Sequence, residues 1–179
     1  MTGKGFDCMN QNNTCMGIGY KKYLAWIPAI AMAVIIFCFS AQPADQSTET
    51  SDFVSQIFLW MGTRMGLFSG EPEQYAEMLE VMSMPVRKCA HISEYAVFHV
   101  TILYALHQWG FRGRKWLTAG FFLVFFYACT DEIHQLFVPG RSGQFADVMI
   151  DCVGVVLITA GLVCRERQFC RRHKGEENV

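Results

Sequence analysis

Two carboxylates, an imidazole and a carboxamide close an otherwise apolar run. Asp131, Glu132, His134 and Gln135 follow the hydrocarbon and aromatic stretch 116–129 and precede Val138-Pro139-Gly140-Arg141, which stops a helix. Ionisable groups inside a membrane-crossing segment are expensive and face a protein interior or a wet cavity, so they mark a site by default. Three other stretches bring matching chemistry. Gln42 closes the first apolar run, Lys88, His91, Glu94 and Tyr95 lie early in the second, and Asp147 and Asp151 head the last. Carboxylates with histidine suit general acid–base work, while Lys88 and Arg141 suit neutralising a phosphate. Asp131, His134, Asp147 and Asp151 offer the oxygen and imidazole ligands that Mg, Mn or Zn take, so a divalent metal is a candidate cofactor. Cys89 and Cys129 neighbour these residues, but a lone thiol without an arranged base is weak ground for a nucleophile.

The elements that must position these groups are helices in a membrane. The chain has 179 residues, of which 52% are apolar and 14% aromatic, enough for one domain with tails. Four apolar runs, at about 23–40, 86–109, 116–138 and 145–164, are each long enough to cross a bilayer core of roughly 30 Å. The expected class is therefore all-α: a polytopic membrane protein with four transmembrane helices and an extracellular amphipathic helical segment between the first two. Residues 1–22 read as a disordered cytoplasmic tail, 23–164 as the membrane domain, and 165–179 as a basic cytoplasmic tail. A signal peptide competes for the first run, but that run is longer than the usual h-region and no clean cleavage site follows.

Within the outer insert, 44–85, Asp45 and Ser47 are candidate caps. Phe53, Ile57, Trp60, Met61, Met65 and Phe68 then recur at helical spacing, which predicts a helix able to lie in the interface. Gly70 and Pro72 should break it. A short helix over 73–82 should end at Met84-Pro85. The eight cysteines include no C-x-x-C pair and no zinc or disulfide spacing.

Charge gives an orientation. With four spans, both termini and the loop 110–115 share a face, and that face carries eleven cations: Lys4, Lys21, Lys22, Arg112, Arg114, Lys115 and the five of the C-terminal tail. The opposite face carries four: Arg64, Arg87, Lys88 and Arg141. The positive-inside rule places the first set, and so both termini, on the cytoplasmic side of the membrane. All four polar stretches then fall in the same outer slice. The basic residues form a topology signal rather than a nucleic-acid patch, so no nucleic-acid partner is expected.

Helical phase groups Lys88, His91 and Tyr95 with Glu94 alongside; Asp131, His134 and Gln135; and Asp147, Asp151 and Gly154. Gly154, Ala160 and Gly161 would let the last span pack closely. Blander roles compete. A single acid can meet headgroups, His91 can be a cross-helix bond, and Arg87 is best read as an interfacial anchor.

The residues also carry a resemblance. Phe39-Ser40-Ala41-Gln42-Pro43, Lys88-Cys89-Ala90-His91 with Glu94-Tyr95, Asp131-Glu132 through Pro139-Gly140-Arg141, and Asp147, Asp151 and Gly154 follow the pattern D-E-x-x-Q-x-x-x-P-x-R and D-x-x-x-[DN]-x-x-G. Over roughly residues 30–160 the chain resembles the VanZ-like family of small bacterial membrane proteins, named for low-level resistance to teicoplanin. The resemblance implies a cell-envelope membrane protein without fixing a reaction.

Three readings follow. As an enzyme, Asp131, Glu132, His134, Asp147, Asp151 and His91 perform acid–base or metal-assisted chemistry, while Lys88, Arg141, Gln135, Gln42, Glu94 and Tyr95 hold a membrane lipid or lipid-linked envelope precursor. As a binding or transport module, the same residues sequester such a lipid or the glycopeptide itself. As a scaffold, they are helix glue.

Overall fold

A computed structural model describes residues 18–67 and 72–176. Most of the N-terminal tail, the 177–179 end, Phe68 and the break at Gly70 lie outside the described residues. Among the described residues the chain is all helix, with no strand. The helices are α1 (Ile18–Leu24), α2 (Ile27–Ser40), α3 (Ala44–Arg64), α4 (Pro72–Gln108), α5 (Gly113–Gln135) and α6 (Phe145–Glu176). Four stretches are long and apolar enough to cross a membrane: Tyr20–Ser40, Glu73–Gln108, Gly113–Gln135 and Phe145–Arg165. The protein is thus a multi-pass helical membrane protein.

α1 and α2 form one span with a turn at Ala25 and Trp26. Pro28, which has no amide hydrogen to give, sits in the first turn of α2, where none is needed. α4 is the central helix and touches every other one. Ile36, Tyr95, Phe98, Ile102, Val124, Ala128, Val148 and Val155 form the core at the α2–α4–α5–α6 contacts. Gly154 is what lets α6 approach α4: a Cβ there would stand 2.3 Å from the Ile92 carbonyl oxygen. Gly161, expected to share that role, has nothing within 4 Å of such an atom.

One expectation for the insert is corrected. Met84-Pro85 does not end a helix; α4 runs through Pro85 for 37 residues. A proline removes one ladder bond and crowds the preceding turn, and the packing of α3 along this half of α4 supports the axis. At about 1.5 Å per residue α4 is ~55 Å long, well beyond a bilayer core. α3 faces the protein with its small residues and turns its large ones outward, as a helix lying in the interface would. Ser47, Ser51, Ser55, Leu59 and Gly62 are buried, whereas Phe53, Ile57, Trp60, Met61 and Met65 are exposed.

Ser51 and Ser55 are buried without loss because their hydroxyls are satisfied within α3. Ser51 Oγ donates to the Ser47 carbonyl at 2.9 Å and Ser55 Oγ to the Ser51 carbonyl at 2.8 Å. Thr63 Oγ1 to Tyr75 Oη (3.2 Å) and Arg87 Nη2 to Thr48 Oγ1 (2.7 Å) set α3 antiparallel to the first half of α4. Neither Asp45 nor Ser47 caps α3 with its side chain; Pro43 occupies the cap position.

Candidate functional site

α5 ends at Gln135, three residues before the sequence stop signals, and Phe137 and Val138 close it with tight turns onto the His134 and Gln135 carbonyls. Its last turns therefore lie where α2 ends, α6 begins and the first half of α4 passes. The loop 139–144 joins them: Ala44 N–H donates to the Pro139 carbonyl at 3.3 Å, and Gly140 takes a φ of +75° beside Ala44. Gly143 lies against the Glu132 carbonyl so closely that a Cβ would stand 2.4 Å from it.

A cavity of about 210 Å³ opens at this end of the bundle. Arg87, Lys88 and His91 line it from α4, Glu132 and Gln135 from α5, Arg141 and Gln144 from the loop, and Asp147 and Asp151 from α6. Lys88 Nζ lies 3.5 Å from Asp147 Oδ1, both partly exposed. Glu132 Oε2 accepts the Gln144 backbone N–H at 2.9 Å, which holds the carboxylate against the head of α6. Asp151 is 4% exposed, so its carboxyl meets the cavity and little else.

Behind this cavity is a drier network. Tyr95 Oη donates to Asp131 Oδ2 at 3.2 Å, and Gln135 Nε2 donates to the same oxygen at 3.3 Å and to Ser40 Oγ at 2.8 Å. The four side chains are almost wholly buried and tie α2, α4 and α5 together. Asp131 Oδ1 is buried without a hydrogen-bond partner. Asp131 and Tyr95 are thus the ground on which the cavity is built, and Gln135 belongs to both.

The other residues singled out from sequence are distributed as follows. His91 faces the cavity, with Nδ1 3.8 Å from Glu94 Oε2 and no hydrogen bond to that nitrogen. Gln42 and Glu94 line a second cavity, of about 590 Å³, between α2, α3 and α4. Arg141 lines both cavities, but it neither pairs with Asp147 nor waits free for a ligand. Its Nε and Nη2 donate to the carbonyls of Gln42 (3.0 Å) and Phe39 (3.3 Å), capping the C-terminal end of α2. Burial first, and then the charge of nearby Arg87, lower its guanidinium pKa below the ordinary value.

His134 lies apart. Its ring is against Phe37 of α2, with centroids 4.5 Å apart, and it lines neither cavity. The reason is phase. At 100° per residue His134 and Gln135 fall on opposite sides of Asp131, and the inward direction runs through Gln135. Among the described residues no three His, Cys, Asp or Glu side chains converge in a way that would hold a metal ion. The donors Asp131, His134, Asp147 and Asp151 are accordingly not gathered.

Sequence reasoning undervalued Arg87. It lines both cavities and is held by Thr48 and, at 3.5 Å, by Ser51 Oγ. Its position one turn before His91 was the available signal. Ser40, the buried acceptor for Gln135, was visible only as part of the Phe39–Pro43 stretch that carries the family resemblance.

A four-span helical bundle whose polar side chains gather in a cavity at one end defines the class: a polytopic membrane protein with a charged pocket at one end of the bundle. The chain belongs to the VanZ/LLP1 family, whose profile matches residues 25–164. It is a VanZ-like membrane protein, of the family related to glycopeptide resistance. No curated protein and no solved structure matches the chain.

Proposed function

We propose that the polar cavity binds the phosphate-bearing head of a lipid or lipid-linked precursor of the bacterial envelope and acts on it at the outer face of the cytoplasmic membrane, both termini being cytoplasmic. The observation that supports this is the shared lining of one cavity by Arg87, Lys88, Arg141 and His91 at one end of the bundle. Guanidinium and ammonium groups suit phosphate oxygens, with Lys88 exchanging its Asp147 partner for the ligand. Glu132, Asp147 and Asp151 on the far wall, with His91, supply acid–base groups in a low-dielectric setting. The cation count of the two faces supports the outward orientation.

Binding without turnover is the second reading, and a specific observation favours it. Arg87, Lys88 and Arg141 already have protein partners, so the resting site is a closed charge network rather than an assembled reaction centre. The bound molecule is then an envelope lipid or the lipophilic glycopeptide itself.

The test is a pair of variants, Lys88→Ala and His91→Ala, in a strain where the protein confers teicoplanin resistance. The enzyme reading expects normal membrane insertion, lost resistance and an altered profile of extracted lipid intermediates. Lost resistance with an unaltered profile supports binding alone. Full resistance in both variants refutes a role for this cavity.

A further inference from the structure

The second cavity lies against the first. It has mainly apolar walls, formed by Phe39 at the end of α2, Val54 and Phe58 on α3, and Met82, Pro85 and Val86 on α4. Its volume, about 590 Å³, falls within the ~300–1,000 Å³ range of ligand pockets. Arg87, His91 and Arg141 line both cavities and so form the partition between them. One side of that partition is charged and the other is mainly apolar, with Gln42 and Glu94 among its lining. The groove also begins at Phe39 and Gln42, where the first apolar span ends.

We infer that this groove holds the hydrocarbon chain of the same amphiphile whose phosphate occupies the polar cavity, with Arg87, His91 and Arg141 at the waist between head and chain. The inference rests on the head-group reading above and adds the substrate class: a phosphate ester of a long alkyl or isoprenyl alcohol, not a free phosphate and not a neutral lipid. The argument is continuity. A groove of this size beside a pocket that offers guanidinium and ammonium donors, sharing three side chains with it, fits a molecule that is anionic at one end and apolar along its length. A free phosphate would leave the groove unused, and a neutral lipid would leave Arg87 and Lys88 with only their protein partners.

The two halves act on selectivity differently. A chain already dissolved in the bilayer gains nothing by leaving water, so the groove contributes through packing while the polar cavity discriminates phosphate from alcohol. Arg87 couples the halves. It is held by Thr48 on α3, so a chain seated against α3 also fixes the guanidinium facing the polar cavity.

The experiment uses the full chain in lipid nanodiscs and two photoreactive probes, dodecyl phosphate and dodecanol, each with a mid-chain diazirine. Cross-linked peptides are mapped by mass spectrometry. The expected result is labelling of α3 near Val54 and of α4 near Val86, at least tenfold stronger for the phosphate than for the alcohol. Val54→Trp, which fills the groove, should reduce it at least tenfold. Ser93→Trp enters the groove from α4 and serves as the second variant should Val54→Trp fail to fold. Equal groove labelling by the two probes overturns the inference. So does phosphate labelling confined to lipid-facing positions such as Phe122 and Phe126. If Lys88→Ala abolishes phosphate-specific labelling but the adducts lie outside the groove, the head-group reading survives and this inference fails. If Lys88→Ala leaves phosphate-specific groove labelling intact, the head-group reading fails instead.

Discussion

Adding one methyl group at Gly154 should loosen α6 from α4 and open the site, and the magnitude follows from the geometry. A Cβ at 154 would sit 2.3 Å from the Ile92 carbonyl oxygen and 3.0 Å from the Ala96 Cβ. Ordinary contact begins at 3.4 Å, and the nearest obstacle is backbone, so one helix must retreat by about 1 Å. Overpacking of this kind costs about 1–3 kcal/mol. Glycine to alanine in a helix also gains up to ~1 kcal/mol of propensity, which would mask part of the loss. Gly161 provides the control: it lies on the same helix with nothing within 4 Å. The propensity gain is common to Gly154→Ala and Gly161→Ala, so the difference between them isolates the steric term, about 1–3 kcal/mol. The assay is equilibrium unfolding of both variants in the same mixed micelles. Because Asp151 and Asp147 lie one and two turns before Gly154, Gly154→Ala should also weaken resistance, while Gly161→Ala should not. Stabilities agreeing to within about 0.5 kcal/mol would refute the close approach of α6 to α4 at Ile92.

Further perturbations separate ground from site. Tyr95→Phe removes one of the two donors to Asp131 Oδ2 and should lower unfolding stability by about 0.6 kcal/mol and at most ~1.7, the average and the maximum for interhelical bonds in membranes; an unchanged midpoint would show that the bond contributes nothing. Arg141→Lys cannot reach both the Phe39 and Gln42 carbonyls as a planar fork does, so it should destabilise the α2 end and expose loop 139–144 to protease, whereas wild-type resistance to digestion would sink the capping role. His134→Ala loses only the contact with Phe37, about 0.5–1.5 kcal/mol, and should leave resistance intact; loss of resistance in a folded protein would return His134 to the site. For orientation, Ser142→Cys in a background lacking other cysteines should react with an impermeant thiol reagent in intact spheroplasts, and protection until lysis would invert the proposed topology.

Much of this molecule is local information. Four runs of apolar residues, their lengths and the polar groups at their ends are properties of contiguous sequence, because crossing a membrane requires each helix to satisfy its own backbone and meet hydrocarbon by itself. The meeting of α2, α4, α5 and α6 at one polar end follows from those runs and their alternation. The motif around Asp131, Glu132, Pro139 and Arg141 likewise placed the chain in its family.

Which side chains share a cavity could not be decided that way. In water, the apolar face of a helix is the buried one. In a membrane, lipid is as apolar as a protein core, so hydrophobicity does not tell inward from outward. The large residues of α3 therefore pointed to a face that the fold leaves exposed, and its serines, small enough to let α4 approach, form the packed face. The same ambiguity grouped His134 with Asp131 and Gln135, until the packing of α2 sent it to Phe37 and kept Gln135 inside. Arg141 carried a charge suited to a ligand, and only the nearness of the Phe39 and Gln42 carbonyls at the end of α2 revealed its structural use. Local chemistry specified the helices and the polarity of their ends; inter-helix distances of a few ångströms, set by Gly154 and the serine stripe, decided which of those groups face one another.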